Sequence, residues 1–202
     1  PTLPVAQAEY GQILAELGEV DRALEAFDRA ADLDTVDANP AYAAAEALFE
    51  ADRFAEAEER AKAMLIPHPW HGKAALLLVD IAREQGELEG DEAYEMARRA
   101  NRYHQVSGPR AHVEFGELAL ARDEHEIALE AFDRALAKFH DVVVARYGRA
   151  RALAGMDRGT EAIPELEALL ALENFYAPVE ASALLETLRR APAEDAARRK
   201  RE

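Results

Sequence analysis

A period of about 34 residues runs through this chain and limits its possible folds more than any single motif does. The trio Ala23, Phe27, Ala30 recurs as Ala57, Ala61, Met64 and then as Ala93, Ala97, Ala100. It returns as Ala128, Phe132, Ala135 and as Ala162, Leu166, Leu169, with steps of 34, 36, 35 and 34 residues between first members. A second series lies upstream of each: Tyr10, Gly11, Leu14; Ala44, Ala45, Leu48; Leu78, Val79, Ala82; Phe115, Gly116, Ala119; Arg149, Ala150, Leu153. The two series advance together. They predict five units of similar build, none of which can bury its apolar face alone.

Within each unit the spacing i, i+4, i+7 places a trio on one face of a helix, so each unit reads as two amphipathic helices. The turn between them carries Gly18, Asp52, Gly86, Asp123 or Asp157. Gly11, Ala45, Gly116 and Ala150 are expected to let the first helix approach its partner closely, with Phe27 and Phe132 filling the space between stacked pairs. Asn39-Pro40, Gly108-Pro109 and Ala177-Pro178 read as helix starts, and Pro67 and Pro69 as a stop. The last second helix is expected to start near Thr160, which places Pro164 in its first turn. The 36-residue step predicts a bulged turn over 87–91.

The stretches 18–30 and 125–135, Gly-Glu-Val-Asp-Arg-Ala-Leu-Glu-Ala-Phe-Asp-Arg-Ala and His-Glu-Ile-Ala-Leu-Glu-Ala-Phe-Asp-Arg-Ala, resemble the tetratricopeptide repeat (TPR) family. The resemblance covers residues 4–175, with repeats at about 4–37, 38–71, 72–108, 109–142 and 143–176. It departs from the family at Arg149, where leucine is usual, and at Gly159, where an aromatic is usual. The third unit has Ala97, not an aromatic, at the middle position of its second-helix trio. The resemblance implies an all-α, right-handed α-solenoid, a superhelix of helix-turn-helix repeats. A single domain over 1–190 is expected. It ends in a capping helix at 178–190, with Val179, Ala183, Leu184 and Leu188 along one face. A charged tail, 191–202, follows.

Charge narrows the partners. The chain has 24 basic and 40 acidic residues, a net of -16, which repels phosphate backbones and anionic lipid. No nucleic acid and no inserted membrane is therefore expected as a partner. Residues 1–71 hold 15 acids and 5 bases. With no cysteine, thiolate metal sites and disulfides are excluded. Arginine outnumbers lysine 20 to 4, which points to a GC-rich bacterial source. The first residue is Pro1 rather than Met, so a removed leader or a larger parent protein is an open reading. The compartment is open too: the cytoplasm is favoured, with a periplasmic or membrane-associated place if a leader was removed.

In the TPR family the first helices line the concave side. On that register the resemblance implies a partner-binding groove containing Glu9, Gln12 and Glu16, then Tyr42, Glu46, Phe49 and Glu50. It continues with Lys73, Leu76, Asp80 and Arg83, and ends with Arg110, Val113, Glu117, Tyr147 and Arg151. Tyr42 and Phe49 are expected either to form an apolar shelf or to pack against the neighbouring repeat. Arg110 and Arg151 are expected either to meet a partner or to pair with Glu114 or Glu117. A bound segment is expected to be basic or apolar toward the first two repeats and acidic toward the last three. The family's carboxylate clamp needs cations at groove sites that here hold Ala8, Gln12 and Ala43, so a receptor of that kind is disfavoured.

No catalytic motif is present. GK[ST] and HExxH strings are missing, and neither Ser107 nor Ser182 sits in a Gly-x-Ser-x-Gly elbow. His68 and His71 flank Trp70, but Pro69 keeps them off one helical face and no third ligand accompanies them. No cofactor and no metal are expected, and the chain does not read as an enzyme. It reads as a protein-protein interaction scaffold that takes a peptide or helix in its groove. The alternatives are a self-assembling structural protein, with the chain as a homo-oligomer, or a regulatory arm of a larger protein.

Overall fold

The computed structural model describes residues 3–103, 108–139 and 142–199, with side chains as far as Arg190. Its described residues form eleven α-helices and no strand. Two compact units divide the chain at residues 107 and 108.

The first unit contains α1 (Leu3–Glu16), α2 (Val20–Leu33), α3 (Asn39–Glu50), α4 (Phe54–Met64), α5 (Gly72–Gln85) and α6 (Asp91–Arg102). Each helix packs on the next in sequence, and the first helices also meet one another, α1 on α3 and α3 on α5. The second unit contains α7 (Gly108–Leu120), α8 (His125–Lys138), α9 (Val143–Gly155), α10 (Gly159–Leu170) and α11 (Pro178–Arg199). Consecutive helices again pair, and α7 touches α9.

All fifteen residues of the second-helix trios are at most 4% exposed. The predicted spacing is therefore the packing face. Gly11 is close enough to the Phe27 ring that a Cβ there would lie 2.7 Å from Cδ1. Gly116 stands in the same relation to Phe132, at 2.7 Å from Cζ. Gly148 approaches the same ring more closely still. The expected small residue at Ala150 is buried, but Gly148 is the residue that makes room for Phe132.

The five turns within repeats share one backbone. Gly18, Asp52, Gly86, Asp123 and Asp157 all have φ between 58° and 77°. In each, the following N–H reaches back five residues, as from Glu19 to Leu14 O at 2.9 Å and from Arg158 to Leu153 O at 2.9 Å. This left-handed closure satisfies carbonyls that the helix end would leave open. Glycine adopts it without strain, and aspartate is among the few side chains that tolerate it. The α5–α6 turn is longer than those of the first two repeats, five residues against three, as the 36-residue step predicted. It is closed by Gly90 N–H to Glu87 O at 2.9 Å.

Three boundary expectations shift. Asn39 is the first residue of α3 with Ala38 as its cap, so Pro40 stands second in the helix. Helix α10 starts at Gly159, which moves Pro164 out of the first turn and into the helix, where it has no N–H to give Thr160. On α11 the inward residues are Ala181, Leu184, Leu185 and Leu188. Val179 and Ala183 point outward, because the helix turns its Ala181 side to the Tyr147–Leu166 core. Leu188 packs 3.1 Å from the Cβ position of Gly159, so α11 fills the space left where the family pattern has an aromatic. The backbone of α11 continues to Arg199, through much of the segment expected as a tail.

Candidate functional site

The side chains singled out by the repeat register lie on the first helices of each unit, some exposed and some buried. On the first unit, the centre is Tyr42 of α3. Its hydroxyl donates to Glu46 Oε1 at 2.6 Å, one helical turn on. Its ring centroid is 5.2 Å from that of His71, and Lys73 Nζ stands 5.9 Å away over the ring. Two adjacent repeats thus converge on one half-buried phenol.

His71 is fixed by its own role. It caps α5, its Nδ1 accepting from the backbone N–H of Ala74 at 3.2 Å. Burial, then the charges of Lys73 and His68, hold its pKa below the usual histidine value. The ring is therefore kept in the neutral form that can accept. The His68-Pro69-Trp70-His71 string serves helix starting and loop anchoring, since Arg99 Nε donates to Pro69 O at 2.9 Å. Among the described residues, no group of three or more metal-ligating side chains stands together.

The other expected residues of this unit divide by exposure. Glu9, Gln12, Glu16, Glu50 and Lys73 are exposed. Phe49 is half-buried and turns toward Phe54 of its own repeat, ring centroids 5.5 Å apart, so the shelf with Tyr42 is not built as expected. Asp80 pairs with Arg83 at 2.9 Å along α5. Leu76 is 5% exposed and offers almost nothing to a partner. Helix α5 packs against α3, α4 and α6 and is buried without a break from Ala74 to Val79.

A cleft lies between α1 and α3. Ala8, Phe27, Pro40 and Ala43 give it an apolar floor, and Glu9, Gln12, Asp34 and Asp37 line it as well. Asp34 and Asp37, in the α2–α3 loop, were not foreseen. Their Oδ1 atoms accept from Val36 N–H at 3.1 Å and from Asn39 N–H at 3.0 Å, which holds the loop in place.

On the second unit, Arg151 bonds Glu117 of α7 at 2.7 Å and stands 5.7 Å from the Tyr147 ring centroid. Arg110 pairs with Glu114 at 3.6 Å, and Val113 is half-buried. Tyr147 is 7% exposed, because Phe175 and Tyr176 from the α10–α11 link pack edge-on against it at 5.5 and 5.9 Å. These two aromatics were also unforeseen. Tyr176 remains largely exposed, yet partial desolvation, then the charge of Glu117, raises its pKa to about 12.

No family model matches the chain, and no curated protein sequence matches it. Solved structures do. The crystal structure of MamA superposes with a TM-score of 0.64 at 17% identity, covering 83% of this chain and 90% of that one. YrrB, a TPR protein with an unusual peptide-binding site, gives 0.64 at 17% identity over 91% of this chain and 90% of its own. Yeast Tom70 gives 0.63 at 17% identity over 93% of this chain and 40% of its own.

The chain has the tetratricopeptide-repeat fold.

With the TPR fold established, the departures noted in the sequence acquire local explanations. Arg149, in place of leucine, reaches Asp133 on α8 at 2.6 Å and Glu165 on α10 at 2.7 Å. Burial works against its charge, but the bonds to Asp133 and Glu165 outweigh that and raise its pKa. An ion triad thus stands where the TPR pattern has an apolar contact. Between the second helices of the first unit, Arg53, at the start of α4, pairs with Asp21 and Arg60 with Asp28, each at 2.6 Å and each 32 residues on. Among the described residues, no helix is long and apolar enough to cross a membrane.

Proposed function

We propose that the chain is a non-catalytic interaction scaffold whose first-helix faces hold a peptide or helix of another protein. The observation that carries this reading is the Tyr42 cluster. A phenol, an imidazole, an ammonium and a carboxylate from two successive repeats meet at a half-exposed point, held by contacts within and between repeats. Preformed aromatic and charged anchors limit the ordering cost of binding. YrrB, with the same fold, has a peptide-binding site of its own. The test is selection of peptides on the intact chain, followed by Tyr42→Ala with Lys73→Ala. Binding should weaken at least tenfold; unchanged binding removes the face from the reading.

Self-association is a second reading, favoured by α1. Leu3, Tyr10 and Ile13 lie along one side of this helix, Leu17 follows just past its end, and all four are exposed, Leu17 at 68%. An exposed apolar stripe of this kind marks a surface that another chain can cover. Light scattering of the parent chain and of Ile13→Glu tests it. A dilute monomer in both cases excludes it.

A further inference from the structure

We infer that the cleft between α1 and α3 takes the side chain of an arginine from the bound partner. The inference rests on the reading of the first-helix face as a peptide site and names the chemistry of one position in it.

Three observations point the same way. The floor of the cleft is apolar, made by Ala8, Phe27, Pro40 and Ala43. Carboxylates of Glu9, Asp34 and Asp37 line it, brought from α1 and from the α2–α3 loop. Among the described residues, no lysine or arginine lines the cleft, and none of the three carboxylates has a cation as partner. Arg22 and Arg29, the two bases of residues 1–50, pair with Glu19 and Glu25. Asp34 and Asp37 each engage one carboxylate oxygen with backbone N–H groups, which fixes the loop and leaves the other oxygen to a ligand.

A ligand for such a place needs a slender apolar body and a cationic end. A long basic side chain has both, since its methylene stem lies on apolar surface while its head stays with polar groups. Arginine suits it better than lysine. Its planar fork gives two parallel donors to a carboxylate and holds less tightly to water. An anionic partner is disfavoured by the local charge, with residues 1–50 holding 11 acids and 2 bases. The cleft is thus the electrostatic opposite of a carboxylate clamp, for which Ala8, Gln12 and Ala43 supply no cation.

The experiment selects dodecapeptides from a random library on the intact chain. Each selected peptide is then remade with citrulline at every arginine, which keeps the shape and removes the charge. Arginine should be enriched, and citrulline should weaken binding at least tenfold. Glu9→Gln combined with Asp34→Asn should weaken the arginine peptide equally and leave the citrulline peptide unchanged. Asparagine still accepts the loop bond, and circular dichroism checks that the helices persist. Suppose the peptides depend on Tyr42 and Lys73 but bind equally well with citrulline. The inference about the cleft is then wrong, and the first-helix reading stands. If binding depends on neither set, or if no peptide is selected, both readings are overturned.

Discussion

The Phe132 ring lies against both Gly116 and Gly148, its Cζ and Cε1 nearest to each, and a Cβ at either position would overlap it. One side chain thus joins the first helix of its own repeat to the first helix of the next. Gly116→Ala is expected to cost about 1–3 kcal/mol through overpacking. Gly148→Ala should cost more, because its Cβ would lie 2.2 Å from Cζ, against 2.7 Å for that of Gly116. Urea melts of the two variants check this. Adding Phe132→Leu should recover part of the loss, which a double-mutant cycle reads directly.

The turn at Gly86 isolates backbone strain from crowding. Its φ is 75°, yet a Cβ there would meet nothing within 4 Å. Gly86→Ala should therefore cost about 1–2 kcal/mol from the left-handed backbone alone. Gly86→Asn should cost less than half of that, since asparagine tolerates this region. Chemical denaturation of both variants decides; equal losses would contradict the backbone explanation.

Arg149 and Glu165 make a partly buried pair, with the Glu165 side chain only 13% exposed. Arg149→Ala leaves that carboxylate with Arg146 at 3.6 Å. A loss of about 1.5–3 kcal/mol is expected from the hydrogen bonds lost to a charge that Arg146 compensates only in part. Replacing both by leucine should bring stability back to within about 1 kcal/mol of the parent, because the pair itself contributes little beyond well-packed apolar contact. Thermal melts of the single and double variants test it.

His71 couples the first unit to pH. Folding holds its pKa below 6.5, the ordinary value that the unfolded chain retains. Between the two values the unfolded chain binds the extra proton, so stability rises with pH across that window. The contribution is complete above about 6.5 and is lost as pH falls through it toward the folded value. His71→Asn keeps an acceptor at the cap without a titration in this range. The urea midpoint of the parent should drop between pH 7 and pH 5 relative to that of the variant; parallel curves would remove His71 from the pH response.

The packing trios were legible because burial in a stacked helix repeats every turn and leaves its period in the sequence. The turn residues were legible because few side chains accept positive φ. What escaped lay between the periodic segments. Asp34, Asp37, Phe175 and Tyr176 sit in inter-repeat links, where side-chain direction follows no period. Leu76 and Tyr147 were misjudged for a different reason. Their register turns them away from their own repeat, but neighbours supplied by other segments cover them, and a count of neighbours is not written in spacing. Pro164 shows the tertiary context overriding a local rule, since α10 keeps its full packing face, Ala162, Leu166 and Leu169, around it.

The α5–α6 corner holds two residues more than its counterparts in the first two repeats, yet Ala93, Ala97 and Ala100 still meet their neighbours in the usual phase. Surplus length there is shed sideways into solvent and never reaches the interlocking faces. That corner is accordingly a splice point, where a reporter or a foreign hairpin can be inserted while the stack on either side keeps its alignment.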